Sequence, residues 1–236
     1  MNRIMLFEDH EDERAEIFKL INQVIPVDQF ICDTHESIRD FDATTINSRE
    51  AISAIITDIL HSVKDLSGYH DLLDRAKNCK TKKDKRLMIA KANSILIDAA
   101  VQNMFHIAKI WIEIKSHIFI ITKINHPNFV SILEKVSNDN SIQELFSHKI
   151  SDLIAEINQN PTDMYECGNI FVFFKKEFYI KNKEKSKYES SQKSKFLSES
   201  EEVEVNFPYQ QTTSDFDKWF VLHLAKILGI TLEEGD

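Results

Sequence analysis

Glycine and proline are scarce, at 4 residues each in a chain of 236. That excludes collagen-like and Gly/Pro-rich low-complexity chains, and it leaves no glycine-rich phosphate loop. Cysteine is nearly as rare. Cys32, Cys79 and Cys167 are far apart, odd in number and in no CxxC pair, which excludes a disulfide scaffold and predicts free thiols in a reducing compartment. No apolar run reaches the ~18 residues of a membrane span before Lys or Glu interrupts it. The apolar stretch Ile4–Phe7 meets acids at once, so no secretory leader, no membrane contact and a cytoplasmic location are expected. Positive charge is the minority: 29 Lys and Arg against 38 Asp and Glu leave a net −9. A nucleic-acid partner is therefore not expected unless the cations are concentrated in one place.

What the chain does have is 42% hydrophobic residues, enough for a sizeable core. Its charges are segregated. Residues 1–74 hold sixteen acids against six cations, whereas 75–91 hold eight cations and one acid. An abrupt reversal of this kind marks a boundary or an insertion. Because the basic stretch Lys80–Lys91 opens a helix and carries no interleaved aromatics, it reads as a solvated face.

Strand-like and helix-like segments alternate. Arg3–Phe7 reads as a buried strand, and Asp12–Val24 as a helix with Ile17, Leu20, Ile21 and Val24 on one side. Phe30–Cys32 is a second strand, Ser37–Phe41 starts a weak helix, and Ala51–Ile56 is a strong apolar run ending at Thr57-Asp58. From Asp84 to Lys115 one long helix is expected, apolar almost all round and so covered by the rest of the protein or by another chain. Then come a strand at Ile118–Ile121, a helix at Asn128–Ser137, a last strand at Ile142–Phe146 and a helix at Ile150–Ile157. Beyond Pro161, Asn169–Ile180 is strand-like, Lys181–Ser200 a mobile loop, Glu202–Phe207 an edge strand, and the segment from Ser214 to Leu228 a helix stopped by Gly229. Alternation of this kind predicts an α/β fold with a parallel sheet covered on both faces.

Ligands of open parallel sheets bind at the carboxyl ends of the strands, where strand order reverses. Glu8-Asp9, Asp58 and Thr122 all fall at such ends. Clustered carboxylates repel unless a hard divalent cation sits among them, and a carboxylate beside Mg²⁺ can attack phosphorus. A hydroxyl and an ammonium nearby would stabilise the phosphoryl oxygens.

These segments resemble the receiver domain of response regulators. Ile4-Met-Leu-Phe-Glu8-Asp9 resembles its first strand and acidic pair, and Ile55-Ile-Thr-Asp58 its phospho-acceptor strand, 49 residues beyond Asp9. Leu66-Ser-Gly68-Tyr69 is similar to the turn that follows, Ile118–Thr122 to the strand ending in the switch hydroxyl, and Phe146-Ser-His-Lys149 to the strand carrying a switch aromatic and a lysine. The resemblance implies a flavodoxin-like doubly wound sheet over residues 1–158. A helical insertion (about 76–116) would account for the excess in the 64-residue interval from Asp58 to Thr122, and a small α+β extension would span 159–236. It implies Mg²⁺ on Glu8, Asp9, Asp58 and the main-chain carbonyl of Leu60. Asp58 would be the acceptor, Thr122 and Lys149 would hold the phosphoryl group, and Phe146 would be the switch. The chain would then be a phospho-acceptor served by a histidine kinase or another signalling protein, not a turnover enzyme. Where the family has a small residue after the hydroxyl this chain has Lys123, and where it has proline after the lysine this chain has Ile150. Those departures favour the alternative, a phosphorylation-independent docking module or a homodimer through helix 85–115. His10 and His61 flank the acids, but no pair of histidines has metallohydrolase spacing and no GxSxG elbow exists.

Overall fold

The computed structural model describes residues 2–24, 30–38, 41, 52–60, 66, 68–174 and 213–230. Strand β1 (Asn2–Phe7) leads into helix α1 (Glu11–Val24), and β2 (Phe30–His35) and β3 (Ile52–Thr57) follow. Helices α2 (Tyr69–Lys77) and α3 (Lys82–Ile114) form a hairpin before β4 (His117–Thr122). Next come α4 (His126–Val136), α5 (Asn140–Leu145), α6 (Ile150–Gln159), β5 (Met164–Cys167), β6 (Ile170–Phe174) and α7 (Thr213–Leu228). The weak helix at 37–41 falls largely outside the described residues. The loop at 181–200 and the edge strand at 202–207 lie wholly outside them, as does His61.

The fold is α/β, with six strands in the order β2-β1-β3-β4-β6-β5. All neighbours are parallel except β5, which runs antiparallel to β6. Because helices cover both faces, the central strands are apolar without a break. Ile4, Leu6, Ile56, Phe119 and Phe173 point to the face covered by α1 and α7, while Met5, Phe7, Ile55, Ile118 and Ile120 point to the face under α2–α6. Residues on both sides of position 158 thus build one sheet: β6 pairs with β4 over Ile118–Thr122, and Phe220 and Leu224 of α7 complete the α1-side core.

Helix α3 runs for 33 residues because nothing in it breaks a helix. The Thr81 hydroxyl caps its start by accepting the Asp84 amide at 3.1 Å. Left-handed Lys115 (φ 55°) ends it, and its amide bonds the Trp111 carbonyl. It is the one described helix long and apolar enough to cross a membrane, yet more than half of its apolar window is buried inside the protein, as befits a core helix.

One expected strand is a helix. Ile142–Phe146 belongs to α5 and its C-terminal cap. Asp139 accepts the amides of Ser141 and Ile142 and so caps a helix start, and Ile142, Leu145 and Phe146 recur at helical spacing into the core. Ser147 and His148 then take left-handed conformations (φ 52° and 60°) and turn the chain into α6. Their polarity suits a turn. The fifth parallel strand is instead β6.

Candidate functional site at the carboxyl end of the sheet

The register brings four strand ends together. Phe7 pairs with Thr57 and Thr57 with Ile120, so Glu8 and Asp58 leave adjoining strands side by side, with strand axes ~4.8 Å apart. The Asp58 amide extends the ladder by donating to the Phe7 carbonyl at 3.3 Å. Strand order reverses at β1, which lies between β2 and β3, and this is where open sheets bind ligands. Glu8 is 1% exposed and Asp58 9%, whereas Asp9 is half-buried.

These carboxylates are oriented by main-chain donors. Glu8 Oε1 accepts the His10 amide at 3.1 Å, and the Arg14 guanidinium donates to the Glu8 carbonyl at 2.6 Å. Asp58 Oδ1 accepts the Leu60 amide at 3.1 Å. Thr122 is fully buried, and its hydroxyl accepts the Ile124 amide at 3.2 Å. Oxygen donors of this kind suit Mg²⁺ chemically. In this conformation, among the described residues, no three His, Cys, Asp or Glu side chains converge tightly enough to form a ready metal group.

Strand alternation sorts the site further. Leu6 and Ile56 face α1, so Glu8 and Asp58 continue that side. On β4, Ile121 faces α1, so Thr122 falls on the opposite side and Lys123 returns to it. Lys123 reaches across to α1, where its ammonium pairs with the Glu13 carboxylate, itself 3% exposed. β3 lies between the strands that lead into these two residues, so the ion pair spans the end carrying Asp58.

Lys149 and Phe146 are not brought to this end. Cys167 Sγ contacts the carbonyls of Phe146 and Lys149 at 3.5 and 3.9 Å, and Cys167 pairs with Ile170 at the start of β6. Ile170 in turn pairs with Ile118 at the start of β4. Both residues therefore sit at the amino end of the sheet, about 13 Å of strand from Thr122. Lys149 is the N-cap of α6, and Phe146 is packed in the core at 0% exposure.

Three features at the carboxyl end were not foreseen. The Lys123–Glu13 pair is one. His35, at the end of β2, packs on Phe7 (5.2 Å) and Phe41 (5.5 Å) with a buried Nε2 that has no hydrogen-bond partner. His126 stacks on Phe174 at 4.1 Å, with Nε2 2.7 Å from the Thr162 carbonyl. Only Lys123 had a signal in sequence, as a charge directly after an apolar strand.

Elsewhere, burial pushes the Tyr69 hydroxyl up to about 12, the Cys32 thiol up to about 12 and the Cys167 thiol up to about 11. All three are structural groups, neutral at physiological pH. No protein-family model, curated protein or solved structure matches the chain.

Proposed function

We propose that the chain is a receiver-type signalling module that accepts a phosphoryl group on Asp58 and relays it as a conformational change. One observation carries the reading: two almost fully buried carboxylates, Glu8 and Asp58, stand side by side on adjoining parallel strands at the point where strand order reverses. Topology supports it. Ignoring antiparallel β5, the strands run β2-β1-β3-β4-β6, the order of a flavodoxin-like sheet, with α1 and α7 the described helices on one face.

In the proposed step a carboxylate oxygen of Asp58 attacks phosphorus. The bond from phosphorus to the donor's nitrogen or oxygen breaks with its electron pair going to the donor, and an acyl phosphate remains on Asp58. Mg²⁺, held by Glu8, Asp9, Asp58 and the Leu60 carbonyl, would neutralise charge on the phosphoryl oxygens. The buried Thr122 hydroxyl ends β4 at the same edge of the sheet, on the face opposite Asp58. Lys123 brings an ammonium to this end, where Glu13 holds it; Lys175 and Lys176, which follow β6 in the chain, are outside the described residues. The donor would be a histidine kinase or another phosphorylated signalling protein.

The test is intact-protein mass after incubation with a small acyl-phosphate donor, with and without Mg²⁺. One Mg²⁺-dependent adduct is expected on the wild type and none on Asp58→Asn. Persistent labelling of the variant would remove Asp58 as acceptor. A wild type that stays unlabelled beside a labelled control receiver would leave a docking module that makes no use of phosphate.

A further inference from the structure

Helix α3 is far longer than the sheet it packs on. Its last turn leads through two residues into the start of β4, and Asn103, wholly buried, donates through Nδ2 to the Ile59 carbonyl just past the end of β3 at 2.8 Å. From Asn103 to Ile114 is about 16 Å of helix, the length of a six-residue strand. The helix therefore runs along the strands and spans the sheet with that segment alone. The 21 residues from Asn103 back to Lys82 continue for about 31 Å of helix: Asp98 pairs with Lys135 of α4, Ala92 and Leu96 are buried, and the first turns run on beyond these contacts. Helix α2 lines this projection through Tyr69, Leu73 and Ala76, and the two form an arm.

The tip of the arm is basic and bare. Residues 80–87 are all exposed and include Lys80, Lys82, Lys83, Lys85 and Arg86. Among the described residues none of these five cations makes an ion pair. The one acid there, Asp84, is engaged by the Thr81 hydroxyl at 2.8 Å. Four of the five stand in the first two turns of α3, where the helix dipole repels cations, and Lys82 with Arg86 is a like-charge i,i+4 pair. This arrangement costs stability and finds no ion-pair partner among the described residues.

We propose that the tip of the α2–α3 arm is a docking surface for the phosphate backbone of nucleic acid, read without sequence preference. The condition set by the net charge of −9 is met, because the cations are concentrated in one place. A nucleic acid offers a phosphate every few ångströms, so a narrow tip finds several within reach. A membrane surface fits less well, because Leu87, 50% exposed, is the tip's only large exposed apolar side chain and inserting one such side chain contributes little. This inference is independent of phosphorylation at Asp58.

Fluorescence anisotropy of labelled duplex and single-stranded oligonucleotides, on the full chain, tests it. Wild type should bind both, and about four phosphate contacts imply a loss of affinity on the order of a hundredfold between 50 and 200 mM salt. The Lys82→Gln/Lys83→Gln/Lys85→Gln/Arg86→Gln variant should bind at least about tenfold more weakly. Its melting temperature should rise by about 2–4 °C, since the unfavourable charges are gone. Absence of binding at 50 mM salt would overturn the proposal, as would equal binding by the variant. So would tighter binding to phosphatidylcholine vesicles containing about 30% phosphatidylserine than to either oligonucleotide.

Discussion

The two ends of the sheet are built to opposite specifications. At the carboxyl end, buried polar groups gather: Glu8, Asp58, Thr122 and the Lys123–Glu13 pair, held by main-chain amides and by each other. At the amino end, Phe146, Ile170 and Cys167 are packed against a turn so tight that a Cβ on Gly168 would lie 2.3 Å from Ser147 Oγ. One end keeps carboxylates desolvated and adjacent at a cost. The other is a mould of apolar surface. A residue's role follows from its end more than from its type, and Lys149 and Lys123 illustrate this.

The strongest way to break the contrast is Phe146→Ala. As a packed side chain at the amino end it should cost about 3–5 kcal/mol in denaturant unfolding, and any phosphoryl uptake by the protein that still folds should be unchanged. A mild loss of stability with altered uptake would make it a switch after all. Glu13→Gln comes next. It removes a buried carboxylate partner of the Lys123 ammonium and should cost about 1–3 kcal/mol, whereas Lys149→Ala, which removes an exposed side chain that makes no capping hydrogen bond, should lie within about 0.5 kcal/mol of wild type. Equal effects of the two in parallel urea titrations would erase the difference between the ends.

The smallest effect concerns His117 at the start of β4. Burial lowers its pKa in the folded state, with Glu166 opposing. A group depressed on folding is more easily protonated in the unfolded chain, so its contribution is present above its ordinary pKa, ~6.5, and is lost as pH falls through the folded value. Wild type should therefore lose slightly more stability than His117→Gln between pH 7 and pH 5. A steeper loss in the variant would reverse the assignment.

Much of this architecture was legible in the chain. The apolar runs at Ile4–Phe7, Ile52–Thr57 and Ile118–Thr122 are strands because parallel strands covered on both faces need no alternation, and the acids that stop two of them mark the carboxyl end. The α3 helix was plain from an unbroken run without Gly or Pro. Ile142–Phe146 misled because five residues with three apolar positions fit a short strand and a one-turn helix equally well. The capping acid Asp139 decides between them, and its signal lies outside the run. Taking that segment as the last strand pulled Lys149 into the site and left Ile170–Phe174 to an extension. The Lys123–Glu13 pair joins residues 110 apart in sequence, and no local pattern announces it.

Helix α3 also has a mechanical consequence. It is tied to β4 at its lower end, to the loop after Asp58 through Asn103, about a third of the way up, and to α4 through the Asp98–Lys135 pair, with only its first turns beyond these ties. A rigid rod pivoting at Ile114 magnifies displacement in proportion to length, so a shift of about 1 Å at Asn103 becomes about 3 Å at Lys82. A displacement of the Ile59 carbonyl that moved this rod would therefore be felt most strongly at its basic tip.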